Sequence, residues 1–172
     1  MENKLLYRDE VYAIQGAIFD VYREMGNAWH EEVYQQCLER ELKLRSIPFE
    51  AKKELPIFYK GEKIEKTYIP DLFCFGKIIL ELKAVGQLGN EHRAQLLNYL
   101  RITKCKLGLL VNFGNLKGLQ HKRIPNFLAI RSDSSDSLTN QPSPTPSPIR
   151  FDSSDSLTNR PSPTISPIRS DS

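Results

Sequence analysis

No apolar run in this sequence approaches the roughly 18 residues that a membrane-spanning helix needs. The N-terminal stretch MENKLLYRDE is charged and lacks the apolar centre of a signal peptide. A cytoplasmic protein with no membrane partner is therefore expected. Cysteine is scarce: Cys37, Cys74 and Cys105 are odd in number, far apart and include no CxxC pair. They fit buried thiols in a reducing compartment better than disulfides or a zinc site. His30, His92 and His121 have no ligand spacing and no serine or cysteine partner in a recognisable motif. There is no P-loop and no dinucleotide fingerprint. These absences leave carboxylates and lysines as the groups able to carry chemistry.

The charge is uneven along the 172 residues. Residues 132–172 hold three Arg and five Asp and no Lys or Glu, which leaves 21 basic and 16 acidic residues in 1–131. The first part is thus near +5, a weak pointer to a polyanionic partner. The tail is repetitive: IRSDSSDSLTNQPSPTPSPIR returns as IRFDSSDSLTNRPSPTISPIR, and Arg131, Arg150 and Arg169 mark a 19-residue period. Each repeat is mostly Ser, Pro and Asp, with prolines at 142, 144, 146 and 148. Such a segment cannot bury enough apolar surface to offset its ordering entropy, so 132–172 is expected to be disordered and 1–131 to be one domain.

Within 1–131 the hydrophobic periodicity is readable. Val11, Ile14, Ile18, Val21, Tyr22 and Met25 recur at helical spacing and predict a first helix that stops at Gly26. Tyr34, Leu38 and Leu42 predict a second over about 30–45. Strands are expected over 49–59, interrupted by Pro56, then 65–75 and 77–85, with turns at 60–63 and Gly76. A helix over 90–102 leads to the apolar strand 107–113, and 122–130 suits a last edge strand. The order is ααβββαβ with that additional strand: an α/β fold with an antiparallel meander, then a helical crossover.

Two of these strands carry acids where apolar residues belong. YIPDLFCF places Asp71 after Pro70, and IILELKA places Glu81 and Lys83 ten and twelve residues later. Strand side chains alternate, so Glu81 and Lys83 share one face while Leu80 and Leu82 share the other. A three-residue turn, Phe75-Gly76-Lys77, pairs residues whose numbers sum to 152 and sets Asp71 opposite Glu81. A two-residue turn would put the acids on opposite faces. Adjacent carboxylates repel unless a cation lies between them, and hard oxygen ligands suit Mg²⁺ or Mn²⁺. Such an ion polarises a phosphoryl oxygen and activates water, while a lysine beside it orients or deprotonates that water. The constellation suits phosphodiester hydrolysis. The same residues also suit a cross-strand salt bridge on a solvated sheet face.

Pro70-Asp71 and Glu81-Leu82-Lys83, in this element order, resemble the PD-(D/E)xK nuclease superfamily. The chain is similar to its GxxExxY branch: AWHEEVY at 28–34 supplies Glu31 and Tyr34, with Ala28 where the motif has glycine. AQLLNYL at 94–100 and LGLLVNFG at 107–114 are similar to that family's later segments. The resemblance covers nearly all of 8–130 and none of the tail. It implies a restriction-endonuclease-like core, a mixed central sheet flanked by helices, that cleaves DNA with Mg²⁺ or Mn²⁺. Asp71 and Glu81 would bind metal together with the backbone carbonyl of Leu82, Lys83 would handle the water, and Glu31 and Gln95 would assist. A homodimer is compatible with this reading. So is an inactive member of the fold that binds nucleic acid or a protein.

The remaining residues admit plainer roles. Glu31 also suits a first-turn carboxylate favoured by the helix dipole, and Tyr34 suits core packing. Lys104, Lys106, Lys117, Lys122 and Arg123 are candidate phosphate contacts that equally suit a solvated face. Trp29 suits base stacking or helix docking.

Overall fold

The computed structural model describes residues 5–135. The tail expected at 132–172 lies, from Asp136 on, outside the described residues. Two helices come first. In α1 (Arg8–Met25) Val11, Ile14, Ala17, Ile18 and Val21 form the buried stripe, and Gly26, at φ 70°, ends it. In α2 (Glu31–Leu44) Tyr34, Leu38 and Leu42 are fully buried one turn apart. Five strands follow: β1 (Phe49–Ala51), β2 (Leu55–Tyr59), β3 (Glu62–Tyr68), β4 (Leu72–Cys74) and β5 (Ile78–Lys83). Then come α3 (Asn90–Thr103), β6 (Leu107–Asn112), β7 (Gln120–Pro125) and α4 (Phe127–Ser135).

The main sheet runs in the order β1-β4-β5-β6-β7, and β2 and β3 form a separate hairpin. Only β5 and β6 pair in parallel, joined through α3; the other neighbours are antiparallel. This is the restriction-endonuclease-like core, a mixed central sheet with helices on both sides. Leu72, Cys74, Ile78, Leu80 and Leu82 pack with α1 and α2 on one face. Ile79, Leu110 and Ile124 pack with Leu96, Tyr99 and Leu100 of α3 on the other. Every residue of β5 and β6 is buried, as expected of a parallel pair covered on both sides.

Three expected elements differ, each for a local reason. The strand at 49–59 is two, because Lys52 adopts a left-handed backbone, φ 50°, and turns the chain from the main sheet into the β2–β3 hairpin. The strand at 65–75 is also two, broken at Ile69–Asp71, where Pro70 has no N–H to give a ladder. The last strand ends at Pro125. Asn126 then turns the chain, its Nδ2 donating to the carbonyls of Leu100 and Cys105 (both 3.1 Å), and α4 replaces the strand expected to Ile130. That helix crosses the boundary expected at residue 131.

The turn after β5 fixes where that strand stops. A Cβ on Gly114 would lie 2.5 Å from the carbonyl carbon of Ala84 and 2.6 Å from the nitrogen of Val85, both backbone atoms. Only glycine permits this approach. Gly114→Ala is therefore expected to lower stability by about 1–3 kcal/mol, the scale of overpacking, read from the urea midpoint. An unchanged midpoint would mean that the 84–85 segment yields freely.

Candidate active site

The β4–β5 pairing joins Leu72 to Leu80, Phe73 to Ile79 and Cys74 to Ile78. Phe75 (φ 54°) and Gly76 (φ 62°) shape the turn, and each of these pairs sums to 152, as the three-residue loop requires. Continued by one residue, the register sets Asp71 beside Glu81. Glu81 and Lys83 share the parity of Ile79 and so lie on the α3 side of the sheet.

Asp71 is 4% exposed and held at three points. Its carbonyl accepts the Lys52 N–H (3.0 Å), Oδ2 accepts the Leu82 N–H (2.7 Å), and Oδ1 faces Lys52 Nζ at 2.5 Å. The Leu82 N–H thus points toward β4, and the Leu82 carbonyl points the same way by strand geometry. Its partner by register would be Pro70, which has no N–H to donate.

Glu81 is 2% exposed. Its Oε1 receives Lys83 Nζ at 2.7 Å, while Oε2 is buried with no hydrogen-bond partner among the described residues. Burial first, and the nearby Asp71 charge second, push its carboxyl up to about 7. Lys83 is 9% exposed. Burial works against its charge, but the hydrogen bond and charge of Glu81, followed by Glu31 and Asp71, hold its pKa above the ordinary lysine value.

Glu31 enters from the other layer. As the first residue of α2 it brings Oε2 to 3.6 Å from Lys83 Nζ, and burial raises its carboxyl despite that lysine. Tyr34, one turn on, stacks on Phe113 with centroids 4.3 Å apart, and its hydroxyl donates to the Gly26 carbonyl at 2.8 Å. Tyr34 therefore anchors the turn that delivers Glu31. Gln95 does not reach the acids directly. Its Nε2 donates to the Tyr99 hydroxyl (2.9 Å), which in turn donates to the Ile69 carbonyl (3.3 Å), two residues before Asp71.

Sequence reasoning brought Asp71, Glu81, Lys83, Leu82 and Glu31 together; it missed Lys52 and Asn112. Asn112 is fully buried, accepts the N–H of Val85 (3.0 Å) and Gly114 (3.1 Å), and donates to the Val85 carbonyl (2.8 Å). It fixes the segment that leaves Lys83. An Asn ending an apolar strand was the available signal. Lys52 lay in a strand-like stretch and gave none.

The other candidates sit elsewhere. His30 caps α2 through its carbonyl, His92 accepts the Gly89 N–H at 3.0 Å, and His121 lies edge-on to Phe19. Lys122 and Arg123 line a cavity of about 460 Å³ with Arg93 near the start of α3. Trp29 donates to the Met25 carbonyl at 2.9 Å, docking the turn between the first two helices. Among the described residues no helix is long and apolar enough to cross a membrane, and no three His, Cys, Asp or Glu side chains cluster as a metal cage.

A family model described as the PD-(D/E)XK nuclease superfamily matches residues 8–124. A solved structure described as "Crystal structure of SSO0001" is similar at 21% identity with a TM-score of 0.46, covering 65% of this chain. The chain spans 60% of that structure's length. No curated protein compared with the chain matches it.

Proposed function

Because the chain belongs to the PD-(D/E)XK nuclease superfamily, we propose that residues 1–131 form a metal-dependent nuclease domain that hydrolyses phosphodiester bonds in DNA. The AWHEEVY segment supports placing it in the GxxExxY branch. One observation carries the reading: Glu81 Oε2, buried without a hydrogen-bond partner among the described residues, beside a second buried carboxylate. An orphaned carboxyl oxygen in that position is costly unless a cation or a donor meets it.

The donor set fits a hard divalent ion. Asp71, Glu81 and the Leu82 carbonyl offer oxygen only, and Mg²⁺ or Mn²⁺ takes a few such ligands and keeps its waters. When bound, the ion supplies charge to a phosphoryl oxygen and acidifies a water.

The chain's own groups divide the remaining work. With its pKa raised, Lys83 is an ammonium at neutral pH. It donates to oxygen rather than taking a proton, so it orients the attacking water and offsets charge gathering on the phosphorus oxygens. Glu31, on the far side of Lys83, keeps that ammonium between two carboxylates. Gln95 acts through Tyr99, which holds the Ile69 carbonyl and with it the Pro70-Asp71 turn.

The test is cleavage by the full-length chain of duplex DNA and of RNA of equal length, with Mg²⁺ or Mn²⁺ or with excess chelator. Metal-dependent cutting of DNA is the expected result. A second reading, an inactive nuclease fold that binds nucleic acid, is favoured by both acids already facing lysines. It predicts DNA retention that falls as salt rises, without cutting in any metal.

A further inference from the structure

We propose that Lys52 closes the cation seat on Asp71 until metal displaces it, and that the freed ammonium then contacts a substrate phosphate. This rests on the metal-dependent reading above and names a residue that the family motif does not contain.

Lys52 is attached to Asp71 twice, through its own N–H at 3.0 Å and its Nζ at 2.5 Å. Its backbone is left-handed, φ 50°, a conformation that residues with a Cβ disfavour. A glycine or asparagine would serve the turn more easily, but neither would bring an ammonium to Asp71.

The two oxygens of Asp71 are held unequally. Oδ2 takes the N–H of Leu82, which belongs to a fully buried strand and cannot leave without opening the sheet. Oδ1 is held by a side chain that is 52% exposed, on a flexible four-carbon stem. Oδ1 is therefore the exchangeable oxygen. Two like charges on one carboxylate oxygen repel, so a cation shared with Glu81 expels the ammonium. Without metal, the Lys52 ammonium is the cation that faces this buried carboxyl. Once displaced, its tether keeps it at the rim between Asp71 and Glu31, which also feels its charge.

The test titrates Mn²⁺ alone into the full-length chain by calorimetry, comparing wild type, Lys52→Gln and Lys52→Met. Lys52→Gln keeps a hydrogen-bond donor for Asp71 while removing the charge, and thermal unfolding confirms that each variant is folded. Both variants are expected to bind Mn²⁺ about tenfold more tightly, the scale of one close charge pair at a half-exposed position. In saturating Mn²⁺ the KM for duplex DNA should rise about tenfold, and the salt slope of binding should fall by about one. Equal Mn²⁺ affinity in all three proteins, with binding abolished in Asp71→Asn, overturns the role of Lys52 and leaves the proposed function standing. Tighter Mn²⁺ binding with unchanged KM overturns the phosphate contact. Absence of Mn²⁺ binding in every protein overturns both this inference and the reading on which it rests.

Discussion

Asp71→Ala is expected to lower DNA cleavage by at least about 10³-fold, since a metal contributes several kcal/mol and each 1.36 kcal/mol is tenfold in rate. The calorimetric signal of Mn²⁺ binding should disappear with it. Asp71 also accepts the buried Leu82 N–H, so the alanine leaves that donor unsatisfied at a cost of about 1–3 kcal/mol of stability. Asp71→Asn retains an acceptor for that N–H and separates lost chemistry from a loosened strand. Lys83→Met gives the contrasting signature. Losing one preorganised donor to the developing charge is expected to slow turnover by about 10²–10³-fold. Mn²⁺ binding should persist, because the ammonium is not among the proposed ligands. Cleavage by Asp71→Ala at the wild-type rate would remove Asp71 from the site.

The hairpin geometry is legible in the sequence alone. YIPDLFCF and IILELKA give the acids, and Phe75-Gly76-Lys77 gives a turn whose length decides the face on which they fall. The structure has that register. It follows from side-chain alternation, a local rule that sequence carries. Glu31 was legible only through resemblance, because α2 is distant in sequence from β5 and nothing in its own pattern says which strand end it meets. Lys52 and Asn112 were not legible. Each acts through a contact across the fold, Lys52 with a residue 19 positions away and Asn112 with one 27 positions away. The missed break at Lys52 has the same origin. A lysine at φ 50° has no turn signature, and its partner Asp71 is tertiary. Where the chain turns for a purely local reason, as at Gly26 and Gly76, the sequence announced it.

Raising the pH from about 5 to 8 in chelator is expected to destabilise the protein, and Mn²⁺ at pH 8 is expected to restore it. The sign follows from Glu81, whose carboxyl is pushed up from 4.5 to about 7 in the folded state. Between those values the folded chain holds a proton that the unfolded chain has released, so stability falls as pH climbs through the window. Moving that carboxyl from 4.5 to about 7 corresponds to roughly 3 kcal/mol, fully present as a penalty above pH 7. Glu31 is raised too and acts in the same direction. For a domain of this size the loss amounts to roughly 6–15 °C in Tm. Ordinary acid effects oppose it: Glu10, held low by its hydrogen bond to Lys77, favours the fold at higher pH. The comparison that isolates the site is Glu81→Gln, which cannot titrate and should flatten the profile relative to wild type. Bound cation reverses the penalty, because a positive charge beside Glu81 favours the ionised form. At about one hundred times its Kd it contributes about 2.7 kcal/mol by mass action alone. The same Mn²⁺ should add little to the Tm at pH 5, where Glu81 must first give up its proton. Parallel pH profiles for wild type and Glu81→Gln, or a metal effect equal at both pH values, would show that this carboxyl is not where proton and cation compete.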